Sequence, residues 1–204
     1  MTLCIRELSF KKMNKNLEKI DRSFSVAIIG LGNLLLGDEG FGVHLIRHLE
    51  KSYRFPHGVE LVDGGCLGLG LLDHLREKEA LILVDVFLSE APPGTLQIFT
   101  WEDLKAFSPA ALASAHQIGI KEALYLAELE GLTPSFFKVF ALVPERLETG
   151  TSLSPSLSKE LDRVSSLIVE EVQRLGFVIR KREEIDVLGD TDEDCGTKLS
   201  LRRL

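Results

Sequence analysis

Residues 80–87 read Ala80-Leu-Ile-Leu-Val-Asp85-Val-Phe87, an apolar run with a single carboxylate inside it. Similar runs occur at Ser25-Val-Ala-Ile-Ile-Gly30 and Phe136-Phe-Lys-Val-Phe-Ala-Leu-Val143, and a more alternating one at Val59-Glu-Leu-Val-Asp63. Continuous runs rich in β-branched residues predict strands that are covered on both faces, as in parallel sheets.

Helical patterns separate these runs, at residues 41–51, 69–77, 118–130 and 156–175. The last pattern follows Ser154-Pro155, a typical N-cap with proline at the first helical position, and it ends at Gly176. Alternating strands and helices predict an α/β sandwich with a mainly parallel sheet.

One predicted strand departs from this alternation. Pro92-Pro93-Gly94 predicts a turn, and the run Thr95–Thr100 begins only eight residues after Phe87. A parallel crossover needs a dozen residues or more, so we expect this strand to be antiparallel to the one before it.

The charge is unevenly distributed along the 204 residues. The net charge is −7, with +3 in residues 1–23, −9 in residues 24–175 and −1 in residues 176–204. An acidic central region argues against a nucleic-acid partner, because phosphate binding needs a basic surface. We therefore expect an N-terminal extension at 1–23, a single domain at 24–180 and a charged tail at 181–204.

The composition also indicates where the protein is found. No apolar run approaches the roughly 18 residues of a membrane span, and residues 1–23 lack the apolar core of a signal peptide. Three scattered cysteines, Cys4, Cys66 and Cys195, form neither a disulfide framework nor a CxxC zinc motif. We expect a cytoplasmic protein without membrane contacts.

The glycine-rich turn Gly30-Leu-Gly32 after the first strand suggests dinucleotide binding, and Asp63 would suit a ribose. However, Leu35 occupies the third glycine position, and Asp38 and Glu39 lie where the pyrophosphate would meet a helix N-terminus. The two acids would repel a phosphate, or they would simply cap the helix.

Three side chains are predicted at the carboxyl edge of the sheet: Glu39, Asp85 and His116. A carboxylate at the end of a buried strand is costly unless it is paired or bound to a metal, although Asp85 could also cap the next loop. His116, at a helix entry, could equally be a surface or capping residue. Together the three form an O,O,N donor set that suits nickel or zinc with open coordination positions.

Other candidates have simpler interpretations. His44 and His48 have helical spacing on one face but share it with cations, so we expect a solvated surface. Cys66 has no activating neighbour in the sequence, and we expect a small residue after a strand end. No G-x-S-x-G motif supports a serine hydrolase.

Residues 24–175 resemble the hydrogenase maturation endopeptidases, which trim the large subunit of nickel–iron hydrogenases. The resemblance rests on Gly30-x-Gly32-Asn33-x-Leu35-x-x-Asp38-Glu39-Gly40-x-Gly42-Val43, followed by 62–65, Asp85, 93–95, 116–117 and 143–145. It implies a three-layer α/β/α sandwich around a five-stranded mixed sheet with one antiparallel strand. It also implies that a C-terminal extension is removed after nickel insertion. Two departures are Cys66, where threonine is usual, and the long N-terminal extension.

The resemblance assigns the metal to Glu39, Asp85 and His116, and substrate contacts to Asp63, Gly64, Gly65 and Gln117. The metal would be nickel supplied by the substrate, with zinc or cadmium as substitutes. The partner would be a hydrogenase large-subunit precursor, and we expect a monomer.

In one route to hydrolysis, the metal would polarise the carbonyl or activate a water molecule. In the other, Asp38 or Asp85 would act as general base. The alternatives are a metal-dependent scaffold or chaperone that binds the precursor without cutting it, and a dinucleotide-binding oxidoreductase.

Overall fold

A five-stranded sheet forms the centre of the computed structural model, which describes residues 25–106 and 115–182. Its strands lie in the order β3-β1-β4-β6-β5. Their bounds are Val26–Leu31 for β1, Val59–Gly65 for β3, Ala80–Val86 for β4, Leu96–Thr100 for β5 and Phe136–Leu142 for β6. Strands β1, β3, β4 and β6 are parallel, and β5 is antiparallel to β6. The predicted mixed sheet is confirmed.

The central strand β4 is buried on both faces, as its continuous apolar run predicts. Ala80, Ile82, Val84 and Val86 belong to one hydrophobic core. Leu81 and Leu83 belong to a second core on the opposite face, and Phe87 continues it beyond the strand. Because side chains alternate along a strand, Asp85 lies on the face of this second core.

Helices cover both faces of the sheet and complete a three-layer sandwich. The first core packs against α1 (Phe41–Ser52), the short α5 (Pro155–Ser158) and α6 (Leu161–Arg174). The second core packs against α2 (Leu71–Glu77), α3 (Trp101–Ala106) and α4 (Ala115–Leu129).

The C-terminal helical pattern is divided into two helices rather than one. The side-chain oxygen of Ser154 accepts the N–H of Leu157 at 3.3 Å, which confirms the predicted cap. The first helix then stops, because Glu160 donates its N–H to the Leu157 carbonyl in a tighter turn. Gly176, with φ +97°, follows the end of α6, as predicted.

Three elements, one helix and two short strands, have no counterpart in the predictions. Helix α3 follows β5 directly, and its Trp101 ring packs edge-on against the Phe137 ring with their centroids 5.2 Å apart. Strands β2 (Tyr53–Arg54) and β7 (Arg180–Lys181) form a small antiparallel pair. Residue Lys181, assigned above to the charged tail, therefore pairs with the domain, and Arg182 donates to the Glu50 carbonyl at 2.9 Å.

The predicted extension at 1–23 and nearly all of the predicted tail lie outside the described residues, as does the segment 107–114. Within the described ranges, no helix combines the length and apolar character needed to cross a membrane.

Candidate active site

The carboxyl ends of β1, β3 and β4 reach the same level of the sheet, since Gly30 lies opposite both Asp63 and Val84. Beyond β1, a 3₁₀ turn at Gly37–Gly40 carries Asp38 and Glu39, and both acids are buried. This is the edge where ligands bind in open α/β sheets.

Glycines allow the acidic turn to pack directly on the sheet. Gly32 has φ +124°, and a Cβ there would overlap the carbonyl oxygen of Glu39. A Cβ at Gly42 would overlap the carbonyl oxygens of Leu31 and Val84. The glycine-rich motif therefore provides close backbone contact between the acidic turn, α1 and the strand ends.

Asp85 is a buried carboxylate with incomplete hydrogen bonding. Its side chain is at the end of β4, and the residue is 3 % exposed. One oxygen, Oδ1, accepts the N–H of Val86 at 2.8 Å, whereas Oδ2 has no hydrogen-bond partner among the described residues. Burial raises the pKa of Asp85 from 3.8 to about 7, the Val86 N–H opposes that rise, and the charge of Glu39 adds to it.

Glu39 and Cys66 share this environment. The electrostatic influence of Glu39 on Asp85 places the two carboxylates in one acidic centre. Cys66 lies just beyond β3 and is exposed to solvent over part of its surface. The buried remainder and the charges of Glu39 and Asp85 raise the pKa of its thiol. The thiol is therefore kept protonated, and it is not an activated nucleophile.

His116 lies in the first turn of α4. Arg76, near the end of α2, pairs with Glu130, just after α4, at 2.7 Å. The two helices thus end together at the amino edge of the sheet, where β4 and β6 begin, and α4 begins at the carboxyl edge. The backbone therefore places His116 and Gln117 at the predicted edge, while their side chains are outside what the structure describes.

Asp38 holds a distant loop. Its Oδ2 accepts the N–H groups of Glu145 at 2.9 Å and Arg146 at 3.1 Å, and its Oδ1 accepts the N–H of Ser154 at 2.7 Å. The carboxylate is fully buried. Three N–H donors fix its orientation and occupy its oxygens, so this geometry favours a positioning role over proton transfer.

The predicted substrate-contacting residues at the end of β3 differ in accessibility. Asp63 is exposed and pairs with Arg47 at 3.4 Å. A Cβ at Gly64 would crowd the Ile29 side chain, whereas one at Gly65 would meet nothing within 4 Å. The carbonyl of Gly65 accepts the N–H of Gly32 at 2.8 Å, which connects this segment to the glycine-rich turn.

The histidines of α1 have structural contacts, not the solvated surface we expected. Burial lowers the pKa of the half-buried His44, the hydrogen bond with the Thr151 backbone opposes that shift, and the charge of Arg47 adds to it. His48 contacts Asp162 at 2.9 Å. Both side chains connect α1 to neighbouring segments.

Among the side chains that the structure describes, which do not include those of residues 107–121, no three from His, Cys, Asp or Glu are grouped so that they could hold a metal ion. The predicted donor set includes the His116 side chain and stays a prediction. One observation fits it: the buried Oδ2 of Asp85 has an accepting position that the described residues leave open.

The fold and site define an α/β protein with a buried acidic centre at the carboxyl edge of its sheet. The hydrogenase maturation protease family model matches residues 43–171. The hydrogenase expression/formation protein HoxM of Azotobacter vinelandii is 34 % identical over 180 residues, covering 88 % of this chain and 84 % of that protein. The hydrogenase 2 maturation protease of Escherichia coli K12 is 30 % identical over 161 residues, covering 78 % of this chain and 98 % of that protein.

Solved structures agree. The hydrogenase maturating endopeptidase HybD of Escherichia coli superposes with a TM-score of 0.72 at 26 % identity, covering 79 % of this chain and 100 % of that one. The NiFe hydrogenase maturation protease HybD of Thermococcus kodakarensis gives a TM-score of 0.60 at 26 % identity, covering 73 % and 99 %. The chain belongs to the hydrogenase maturation protease family, as its motifs predicted.

Proposed function

We propose that this protease removes the C-terminal extension of a nickel–iron hydrogenase large-subunit precursor after nickel insertion, and that it recognises the nickel. In this proposal Glu39, Asp85 and His116 contact the nickel that the precursor carries. Zinc or cadmium would substitute for it in metal-binding experiments. The protease would act as a monomer in the cytoplasm.

The observation that carries the proposal is the environment of Asp85. A buried carboxylate oxygen without a donor is costly, and a second acid beside it increases the cost. A divalent cation would offset both effects. Family membership supports the peptidase activity, and the acidic centre supports a substrate that arrives with a metal.

Two routes to hydrolysis remain within the proposal. The metal supplies Lewis-acid polarisation of a carbonyl, or activation of water, when it is bound. Alternatively a carboxylate accepts a proton from water. For that role the geometry supports Asp85 over Asp38, because Asp38 already accepts three backbone N–H groups while Asp85 Oδ2 accepts none from the described residues.

The test is cleavage of purified nickel-loaded and nickel-free precursor, followed by intact-protein mass spectrometry. We expect the nickel-loaded precursor to lose its C-terminal extension and the nickel-free precursor to stay intact. Glu39→Gln and His116→Ala should abolish the mass loss, whereas His57→Ala, at an exposed turn outside the site, should cleave like the wild type.

Each other outcome has a definite meaning. Precursor that stays intact but co-elutes with the protein would support the non-cleaving scaffold. Equal cleavage without nickel would contradict metal recognition but not peptidase activity. Full cleavage by both Glu39→Gln and His116→Ala would contradict the assigned ligands.

A further inference from the structure

Four exposed leucines lie in the segments that leave the carboxyl edge of the sheet, the edge that carries the acidic centre. Each lies in a loop that follows a different parallel strand: β1, β3, β4 and β6. We call this set the leucine rim, and its members, with their exposed fractions, are Leu35 (63 %), Leu69 (54 %), Leu88 (41 %) and Leu147 (39 %). Because all four loops leave the carboxyl edge of the sheet, the leucine rim lies at the same edge as Glu39 and Asp85.

Single exposed apolar residues are ordinary on a protein surface. The leucine rim is different, since one exposed leucine follows every parallel strand and all four border one site. The remaining large exposed apolar residues in the described ranges lie elsewhere: on α4, on β5 and before β7. Clustered apolar surface around a binding site indicates a protein-interaction surface.

Hydrogen bonds hold Leu35 directly, and they hold Leu147 through the preceding residue. The N–H of Leu35 donates to Asn33 Oδ1 at 2.9 Å, and its carbonyl accepts the N–H of Gly150 at 2.9 Å. Leu147 follows Arg146, whose N–H donates to Asp38. These leucines therefore lie on an ordered backbone. When a partner covers them, the loops that carry them lose little further backbone entropy.

We propose that the leucine rim is the docking surface for apolar side chains that the hydrogenase large-subunit precursor presents around its metal and cleavage site. This inference rests on the proposed function. Asp85 is almost completely buried, so a protein that brings a group to its carboxylate contacts the surrounding loops at the same time. The docking surface is thus continuous with the site that the substrate must enter.

Charged side chains accompany the leucines on these loops. Glu90 and Glu148 are exposed and lie farther along the chain from the sheet than Leu88 and Leu147. Apolar residues near the centre with charged residues at the periphery are the usual composition of a specific protein interface. Leucine contacts would supply affinity, and the peripheral carboxylates would select the orientation of the precursor.

The test uses the full chain with purified, nickel-loaded, full-length precursor in steady-state cleavage. We expect Leu35→Asn/Leu147→Asn to raise KM about tenfold or more, because two partly buried leucine contacts are lost, and to leave kcat within about twofold. The matched control, Leu129→Asn on α4, removes an equally exposed leucine away from the site and should leave both constants unchanged.

The second pair, Leu69→Asn/Leu88→Asn, lies on other loops and should raise KM in the same way. It decides the test if the first pair lowers the melting temperature. Unchanged KM in both pairs, or an equal rise with Leu129→Asn, would overturn the proposal. A wild-type chain that fails to cut the precursor would overturn the proposed function as well. A wild-type chain that cuts while both pairs match its KM would overturn the docking surface alone.

Discussion

Asp38 and Asp85 are both buried carboxylates at one edge of the sheet, but their surroundings give them different chemistry. Asp38 accepts three backbone N–H groups, which compensate its charge. Asp85 accepts one, and its pKa rises to about 7. One acid is therefore suited to holding structure and the other to binding a cation or a proton.

Asp85 should make the metal-free protein less stable as the pH rises. Its folded-state pKa of about 7 lies above the ordinary value of 3.8, so the folded state binds the proton more tightly. The stability present below pH 4 is lost as the pH rises to 7. At about 1.4 kcal/mol per pKa unit, the loss is about 4 kcal/mol.

Urea unfolding with a chelator at pH 4.5, 6 and 8 measures this effect. Asp85→Asn should be more stable than the wild type at pH 8, and the difference should shrink toward pH 4.5. The same variant should fail to process precursor, as expected when a binding group is retained at a cost in stability. A stability difference that does not change with pH would contradict the environment described for Asp85.

Removing the Asp38 carboxylate should destabilise the protein strongly. Asp38→Ala leaves three N–H groups without their acceptor, two of them only partly buried, and we expect a loss of about 2 to 4 kcal/mol in urea unfolding. Asp63→Ala is the matched control, because its exposed ion pair with Arg47 contributes about 1 kcal/mol or less. Equal losses for the two variants would show that Asp38 does not anchor the loop.

The positions of Asp38 and Asp85 in the fold were easier to predict from the sequence than their structural and chemical roles. A carboxylate inside the apolar run 80–87 already marked Asp85 as unusual. The anchoring by Asp38 could not be predicted, because its partners are backbone N–H groups more than 100 residues away, and any residue except proline supplies such a donor.

At the scale of elements, close packing between the 3₁₀ turn and β1 depends on the absence of a side chain at Gly32. Gly32→Ala should cost several kcal/mol and abolish processing, because the new Cβ overlaps the Glu39 carbonyl at a residue with positive φ. Gly131→Ala, also at positive φ but with nothing near its Cβ, should cost only about 1 kcal/mol.

Urea unfolding and precursor cleavage measure both glycine variants. If Gly32→Ala were as mild as Gly131→Ala, the turn would have room to move away from β1, and the close contact would not position Glu39.

Strands were easier to predict than short helices. Continuous apolar runs marked β1, β4 and β6 within a residue or two, since these strands are buried on both faces. Helix α3 has only six residues, too few for a helical period to emerge, and its position depends on tertiary contacts such as that of Trp101 with Phe137. The start of α5 was predicted from its Ser154 cap, whereas its separation from α6 was not.

For the whole molecule, the described core ends with Ile179 and the β2–β7 pair. A chain truncated after Phe177 should melt several degrees below a chain truncated after Arg182, because the shorter chain lacks the buried Ile179 and the strand β7. Equal melting temperatures for the two truncations would contradict a structural role for β7.

The mixed α/β architecture followed from the alternation of strands and helices, and the antiparallel β5 followed from a connection too short for a crossover. The five strands lie in the order β3-β1-β4-β6-β5. The β2–β7 pair could not be predicted, because two-residue strands leave no pattern.

The hydrogen bond between Asp38 and Ser154 spans 116 residues, which has a consequence for protein synthesis. A ribosome adding 5 to 20 residues per second needs on the order of ten seconds to make that interval. Until Ser154 has left the exit tunnel, the Asp38 carboxylate lacks one of its three N–H donors. The acidic turn is therefore fully anchored only when most of the 204 residues have been translated.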